Sequence, residues 1–361
     1  MWGVYNSEPD RESEIMGDLT RKLIENLNNI LPSDKVEAWV SIPNEFSHGM
    51  QIRIGVNIMK SDYYDNYQGN AIFSRGTESV RRAIIKGSKE YVEEWLTDEV
   101  NLEKISLSLQ DFMYENINIM NCTNGVDYLS LTSTTLEENR NSITDEYGVR
   151  YTADGKKLIS TPVSLTGEYK IKPGTESVCD SAFQYKVWLI NVEIPSSVKY
   201  IGRAAFVHCE RLMTARLPET LEYMGKMAFT ACHLMNIIIP KTLKYIPDVA
   251  FGGNRELKSI ILHNDIEYIG GSAFAECRAI EEFVFPPKVQ VMSQQVLDGC
   301  WNLKKIVLPD GVVKIGNLAF SRTGIDDLVI PNSVKIMDKY VFDECRNLKE
   351  AKLPKGVYIV D

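Results

Sequence analysis

The chain has 361 residues, of which 44% are apolar and 25% are charged, a balance that is ordinary for a globular protein. No apolar run approaches the roughly 18 residues that a transmembrane helix needs, so the sequence excludes membrane insertion. Acidic residues are concentrated at 1–150, with 14 Lys/Arg against 25 Asp/Glu, and the remainder is nearly neutral. This distribution argues against a nucleic-acid partner, which requires a basic surface.

The first 145 residues contain helical and alternating apolar patterns but no repeat. The predicted elements, in chain order, are a helix at 12–31, strands at 36–42 and 50–58, a helix at 77–97, and strands at 105–109, 115–121 and 126–132. The first two strands are close enough in sequence to form a hairpin. This order predicts a small α+β domain at 1–145, with two helices packed on one antiparallel sheet. We expect residues 136–147 to be a linker.

Signals for catalysis are few in this domain, which resembles no family known to us. His48 is its single histidine and stands in a predicted loop, a setting more typical of an exposed turn residue than of a general base. Asp62 and Asp65 lie close together but lack the spacing of a calcium-binding loop.

The second half of the chain is a repeat with a step of 23 residues, or 22 in two cases. Each unit starts at an aliphatic or aromatic residue, most often followed by proline. The units start at Ile171, Ile194, Leu217, Ile239, Leu262, Phe285, Leu308 and Ile330, and a last half-unit starts at Leu353. Apolar residues recur within each unit at fixed offsets, including a Phe twelve residues after the start in seven of the eight units. Because no unit of this size can bury these side chains alone, the pattern predicts stacked coils that share one continuous core.

A short polar side chain occupies the position fifteen residues after the start of most units. It is cysteine in five units and asparagine in a sixth, and we predict that it forms a structural ladder of Cys209, Cys232, Asn254, Cys277, Cys300 and Cys345. The stretch AFVHCERL also sets a histidine beside a cysteine, as a metal site could. However, His208 precedes its cysteine and His233 follows its cysteine, so the two units share no ligand geometry. We therefore predict free structural thiols, without a metal, a cofactor or a disulfide.

The pattern L-x-x-I-x-[LI]-P-x-x-[VL]-x-x-I-G-x-x-A-F-x-x-C closely resembles the leucine-rich repeats of the BspA-like type found in bacterial surface proteins. The resemblance covers about 147–361, and residues 147–170 are similar to the hairpin that caps such arrays. His263 in place of proline and Leu297 in place of phenylalanine depart from the pattern. The resemblance implies a leucine-rich-repeat solenoid with a parallel β-sheet on its concave face. It also implies a role in adhesion or protein binding, with no catalytic residues.

The L-x-x-I-x-L stretch of each unit is the predicted strand, and its x positions are expected to point outward. The first two x positions carry charges of alternating sign in successive units from Lys258 onward, a pattern typical of a self-neutralising surface. The third position is aliphatic in five successive units. We name these residues the strip: Ile238, Ile261, Val284, Val307 and Val329. The strip fits either the general preference of strands for branched residues or a docking surface for a protein.

These features favour a non-enzymatic interaction protein that binds a protein partner through the concave face. The alternative is an enzyme or effector whose first domain is catalytic and whose repeats target it. A third possibility is an architectural part of a larger assembly. The last repeat ends without a polar cap, so we also expect that a homo-oligomer could cover this edge. The first thirty residues lack the pattern of a signal peptide, which suggests the cytoplasm, whereas the resemblance suggests the cell surface or secretion.

Overall fold

The computed structural model describes residues 36–41, 50–59, 77–87, 128–349 and 351–360. The chain divides into two compact units, Met1–Ile117 and Asn118–Asp361, and each is described by itself. The predicted helix at 12–31 and the predicted strands at 105–109 and 115–121 lie outside the described residues.

The described part of the first unit is a three-stranded antiparallel sheet with the order β1-β2-β3. Its strands are β1 (Val36–Ser41), β2 (Met50–Met59) and β3 (Thr77–Gly87). β1 and β2 pair with Val36 opposite Ile58, which confirms the predicted hairpin.

The helix predicted at 77–97 is wrong for residues 77–87, because these residues form β3 and pair along the whole length of β2. The spacing of four residues between Val80 and Ile84 fits both a helix and a strand. Within β3, Arg82 is an extra residue at a bulge, since Gly55 pairs with Arg81 and Ile54 with Ala83. Because the bulge breaks the two-residue alternation of apolar and polar side chains, the sequence pattern does not reveal the strand. Residues 88–97 lie outside the described part of the chain.

The first element in the described part of the second unit is α1 (Tyr128–Thr132), so the strand predicted at 126–132 is wrong over these five residues. The amino group of Lys157 donates hydrogen bonds to the carbonyl oxygens of Ser130 and Ser133 at the carboxyl end of this helix, at 3.1 and 3.0 Å. A cation at this end satisfies free carbonyl groups and favours the helix.

The linker predicted at 136–147 is also wrong, because these residues form structure that belongs to the solenoid unit. They contain α2 (Leu136–Arg140) and β4 (Ile143–Thr144), and β4 pairs antiparallel with β5 (Arg150–Tyr151). Thr135 caps α2: its side chain accepts from the Glu138 amide at 3.1 Å, and the Glu138 carboxylate accepts from the Thr135 amide at 2.7 Å. This T-x-x-E capping box is a sequence signal for a helix start.

Each repeat from the one starting at Ile171 to the one starting at Phe285 contributes two short strands that lie parallel to those of the neighbouring repeats. In the repeats starting at Leu308 and Ile330 the described residues form one strand each, and Val329 makes an isolated parallel bridge with Lys352 in place of a strand-face pairing. One set forms what we call the strand face: β7 (Gly167–Lys170), β9 (Leu189–Glu193), β11 (Thr214–Ala215), β13 (Asn236–Ile238), β15 (Ser259–Ile261), β17 (Glu282–Val284) and β19 (Lys305–Val307). The other set follows the hairpin of β5 and β6 (Lys157–Ser160) and contains β8 (Ser177–Val178), β10 (Tyr200–Ile201), β12 (Tyr223–Met224), β14 (Tyr245–Ile246), β16 (Tyr268–Ile269), β18 (Val291–Met292), β20 (Lys314–Ile315), β21 (Ile336–Asp338) and β22 (Tyr358–Val360). These parallel coils confirm the predicted repeat solenoid.

The third side of each coil is a tight turn that carries the A-F-x-x-C segment. In the repeat starting at Ile194, Ala204 and His208 have positive φ angles of 52° and 57°. Their amides, and that of Phe206 between them, donate to carbonyl oxygens of the next repeat at 2.8 to 2.9 Å. The same positions have positive φ in most repeats, and the left-handed conformation costs energy at residues other than glycine. Hydrogen bonds between neighbouring coils offset this cost, so the turn is stable only within the stack.

The core contains a file of phenylalanine rings, one from each of the first five repeats. Phe183, Phe206, Phe229, Phe251 and Phe274 are fully buried, and neighbouring rings stack with centroids 4.7 to 5.9 Å apart and planes within 16° of parallel. Aromatic contacts of this kind add to the stability gained from buried area.

The file of rings takes a detour where the next repeat has Leu297 in place of phenylalanine. The Phe274 ring contacts Phe283 at 5.2 Å, Phe283 contacts Phe285 at 4.7 Å, and Phe285 contacts Phe320 at 6.3 Å. Phe283 lies in β17, Phe285 directly follows that strand, and each is 3% exposed. Two large side chains on the strand side therefore fill the volume that a smaller residue in the turn leaves open.

Candidate protein-binding face

Alternate residues of the face strands point to opposite sides, which separates a buried row from an exposed row. In β13 the middle residue Ile237 is buried, whereas Ile238 is 56% exposed. The register places Ile238 beside Ile261 and Val284 beside Val307. The five strip residues are exposed by 56, 54, 53, 38 and 83% in chain order, from Ile238 to Val329. The strand face thus presents aliphatic side chains to the outside in five consecutive repeats.

Exposed apolar side chains continue beyond the strip toward the first repeats, a feature that the sequence analysis missed. Ile190, Met213 and Met235 are 43, 39 and 37% exposed. Met235 stands three residues before Ile238 in the same stretch, so the apolar surface shifts along the strand direction as it passes from repeat to repeat. The signal was present in the sequence, because these residues occupy the outward position that is charged from Lys258 onward.

Trp188 is exposed by 53% and lies near the start of this extension. The guanidinium carbon of Arg211, one repeat further on, stands 3.9 Å from the centroid of its ring. Arg211 therefore covers one face of the indole ring with a cation–π contact, and this contact orders the edge of the apolar surface.

The parallel ladder of the strand face is interrupted between some repeats, and two grooves lie at the interruptions. β13 pairs with β15 and β17 pairs with β19, but within the described residues no strand pairing joins β15 to β17 or β11 to β13. A groove of about 480 Å³ lies between β15 and β17, and a smaller groove of about 260 Å³ lies between β11 and β13. Exposed strip residues line both grooves.

Charged side chains next to the strip are partly paired with each other. Lys305 and Glu282 form an ion pair at 2.6 Å between adjacent strands, and Lys288 pairs with Asp265 at 2.7 Å nearby. Each of these side chains is at least half exposed, so each pair contributes about 0–1 kcal/mol to stability. These pairs neutralise part of the charge beside the strip.

The cysteine positions lie in the turn on the third side of the coil and are occupied by buried free thiols. The Cys209 thiol contacts the carbonyl oxygen of Phe183 in the preceding repeat at 3.1 Å, and the thiols of Cys232, Cys277, Cys300 and Cys345 make the equivalent contact at 3.0 to 3.3 Å. Asn254 makes it through its side-chain amide at 2.8 Å. Burial raises the pKa of Cys277 to about 12, so this thiol stays protonated at neutral pH.

The histidines beside these thiols point away from them. His208 stacks on the ring of Tyr185 with centroids 5.1 Å apart, and its side chain is 42% exposed, whereas Cys209 is completely buried. His233 is exposed next to the buried Cys232. Among the described residues no group of three or more His, Cys, Asp or Glu side chains could hold a metal ion.

The stacked parallel coils define a leucine-rich-repeat β-solenoid, and comparison with known proteins assigns its family. The model of BspA type leucine-rich repeat regions matches residues 176–300 and 273–361 in six copies. This match spans more than half of the chain, and the chain belongs to this family. A comparison with curated proteins finds no match.

Several solved bacterial structures are similar to the chain. A leucine-rich repeat protein from Bacteroides ovatus is 23% identical with a TM-score of 0.49, covering 60% of this chain and 64% of its own. The Treponema pallidum leucine-rich repeat protein is 25% identical with a TM-score of 0.40, covering 53% of this chain and 88% of its own. A leucine-rich cell surface protein from Faecalibacterium prausnitzii is 17% identical with a TM-score of 0.30, covering 60% and 89%. The chain thus spans less than two thirds of the Bacteroides protein. Over the residues that the structure describes, no helix is long and apolar enough to cross a membrane.

Proposed function

We propose that the protein is a non-enzymatic, adhesion-type binding protein that holds a protein partner on its strand face. The exposure of the strip carries this proposal. Contiguous exposed apolar surface is uncommon on soluble proteins and often marks an interface. Membership of the BspA type leucine-rich repeat family supports the proposal, because the resemblance to this type of repeat implies a role in adhesion or protein binding.

The dimensions of the strip suit a docking surface. Strands in a sheet lie about 4.8 Å apart, so the four intervals from Ile238 to Val329 span at least about 19 Å. Val307 is the most covered of the five at 38% exposure, and the outer members are more open. A partner that covered these side chains would gain about 25 cal/mol for each Å² of apolar area removed from water.

The test is the double substitution Val284→Glu with Val307→Glu, which places two charges in the middle of the strip. Both side chains already point outward, so the solenoid is expected to fold normally. A microarray of purified proteins, probed with the full chain, identifies partners and compares variants. The matched control is Leu136→Glu with Val163→Glu, which adds the same charge at two residues that are 78 and 92% exposed outside the strand face.

Partners that bind the wild type and the control but lose at least about tenfold in affinity for the strip variant would support the proposal. Equal binding by a correctly folded strip variant would contradict it.

We also propose that the protein acts at the cell surface, because one similar structure is that of a protein named as a cell surface protein. Protease treatment of intact cells tests this location. Degradation of the protein by the protease in a cell lysate but not on intact cells would contradict it.

A further inference from the structure

We infer that the larger groove, between β15 and β17, takes an extended polypeptide segment of the partner, which pairs with the free strand edges through its backbone. This inference rests on the proposed function, because it names the form in which the partner reaches the strand face. The groove is lined on one side by residues 258–262 and on the other by residues 282–287.

The two strands that border the groove are paired only on their outer sides. On the β13 side, the Ile261 carbonyl accepts from the Ile239 amide, which directly follows β13, at 3.0 Å. On the β19 side, the Phe285 amide donates to the carbonyl of Val307 in β19 at 3.0 Å. Between residues 258–262 and 281–285, all of which the structure describes, no backbone hydrogen bond is formed.

Alternation of the strand backbone decides which groups face the groove. Successive residues of a strand direct their amide and carbonyl groups to opposite edges. Because Ile261 and Phe285 pair outward, the backbone groups of Ile260 and Val284 are directed toward the groove. Amide donors and carbonyl acceptors thus stand on both walls, and an extended chain offers the complementary groups at the same spacing.

The shape of the groove also suits a short length of extended chain. Its volume of about 480 Å³ lies within the range of ligand-binding clefts, about 300–1,000 Å³. The exposed side chains of Ile261 and Val284 stand at its rim, where they would contact apolar side chains of the segment. Pro286 and Pro287 close one end, and because proline has no amide hydrogen, the strand edge ends there.

The charges and the smaller groove help to define the occupant. Lys258 and Glu282 line the larger groove with opposite signs, so the wall selects neither an anion nor a cation. The smaller groove is bridged at one point, since the Met235 amide donates to the Met213 carbonyl at 3.4 Å. We therefore place the segment in the larger groove.

The test uses the full chain and a phage-displayed library of random eight-residue peptides. Asn264 is exposed and lines the groove, so Asn264→Trp blocks it without replacing a strip residue. Asn332 stands at the same offset in the repeat starting at Ile330, is exposed and lies outside the groove. Asn332→Trp is the matched control. The selected peptides are then synthesised with and without N-methyl groups on their central amides.

The inference predicts peptides that bind the wild type and the control equally and lose at least about tenfold in affinity for Asn264→Trp and on N-methylation. It also predicts slower amide exchange at Ile260 and Val284 in the complex. Peptides that tolerate N-methylation, a library that yields no binder, or a self-association that accounts for the signal would each overturn it.

If a partner found on the microarray still binds Asn264→Trp but not the strip variant, the proposed function stands and this inference fails. If the strip variant binds normally, the proposed function itself fails.

Discussion

Replacement of Asn254 tests how far the buried ladder depends on hydrogen bonds between repeats. Asn254 is completely buried, and its side-chain amide donates to the carbonyl oxygens of Phe229 and Phe251, both at 2.8 Å. Its side-chain oxygen accepts from the Leu234 amide at 3.1 Å. In Asn254→Ala the Phe229 carbonyl and the Leu234 amide lose these partners inside the core, while Phe251 keeps a contact from the Cys277 thiol. Each orphaned group costs about 1–3 kcal/mol, so we expect a total loss of about 2–6 kcal/mol.

Asn254→Cys is the matched variant, because cysteine is the usual residue at this position. Its thiol can donate to Phe229 as Cys232 does to Phe206, at 3.1 Å, so only the Leu234 amide is orphaned. We therefore expect a loss of about 1–3 kcal/mol, clearly smaller than for alanine. Urea unfolding followed by circular dichroism gives both values, provided that the slope with urea is unchanged. Equal losses in the two variants, or a loss below about 0.5 kcal/mol for alanine, would refute this reasoning.

Three further predictions concern the detour of the ring file, one turn and the thiols. Leu297→Phe restores the consensus residue but should lower the free energy of unfolding by about 1–3 kcal/mol, because Phe283 and Phe285 already fill the space. Adding Phe283→Ile and Phe285→Ile should recover this loss, as measured by urea unfolding. Failure to recover it would contradict the detour of the ring file. Gly299→Ala should lower the melting temperature, since Gly299 has a φ of 73° and a Cβ there would meet the Glu276 carboxylate; an unchanged melting temperature would count against the described turn. The six described cysteines should resist iodoacetamide at pH 8 until the protein unfolds, because all six are buried and burial raises the pKa of Cys179 and Cys277 to about 12. Rapid labelling of these six positions in the native protein, located by peptide mass spectrometry, would contradict this prediction.

The repeat region could be predicted because apolar residues recur at the same offsets in successive units. A phenylalanine twelve residues after Ile194, and again after Leu217, is uninformative alone, but its recurrence in seven of eight units leaves one architecture in which all can be buried. The first domain lacks this redundancy. Val80 and Ile84 fit two periods equally well, and the bulge at Arg82 that decides between them depends on a partner strand.

Only part of the candidate site follows from local pattern. Alternation along the strand is enough to expect Ile238 and Ile261 on the outside, because side-chain direction is a local property of a strand. The grooves are a property of whole repeats, since strand separation depends on how neighbouring coils pack. Phe283 and Phe285 stand beside the larger groove, but their size matters only in combination with Leu297 on the other side of the coil. That combination is visible only in three dimensions.

The most direct test of the account is to map where a partner found on the microarray touches the protein. Carbene footprinting labels exposed side chains, and the complex can be compared with the free protein. We expect labelling to fall at the strip, from Ile238 to Val329, and to stay unchanged at Leu136 and Val163, which are exposed outside the strand face. A footprint confined to the turns or to residues 1–117, with the strip still fully labelled, would contradict the account.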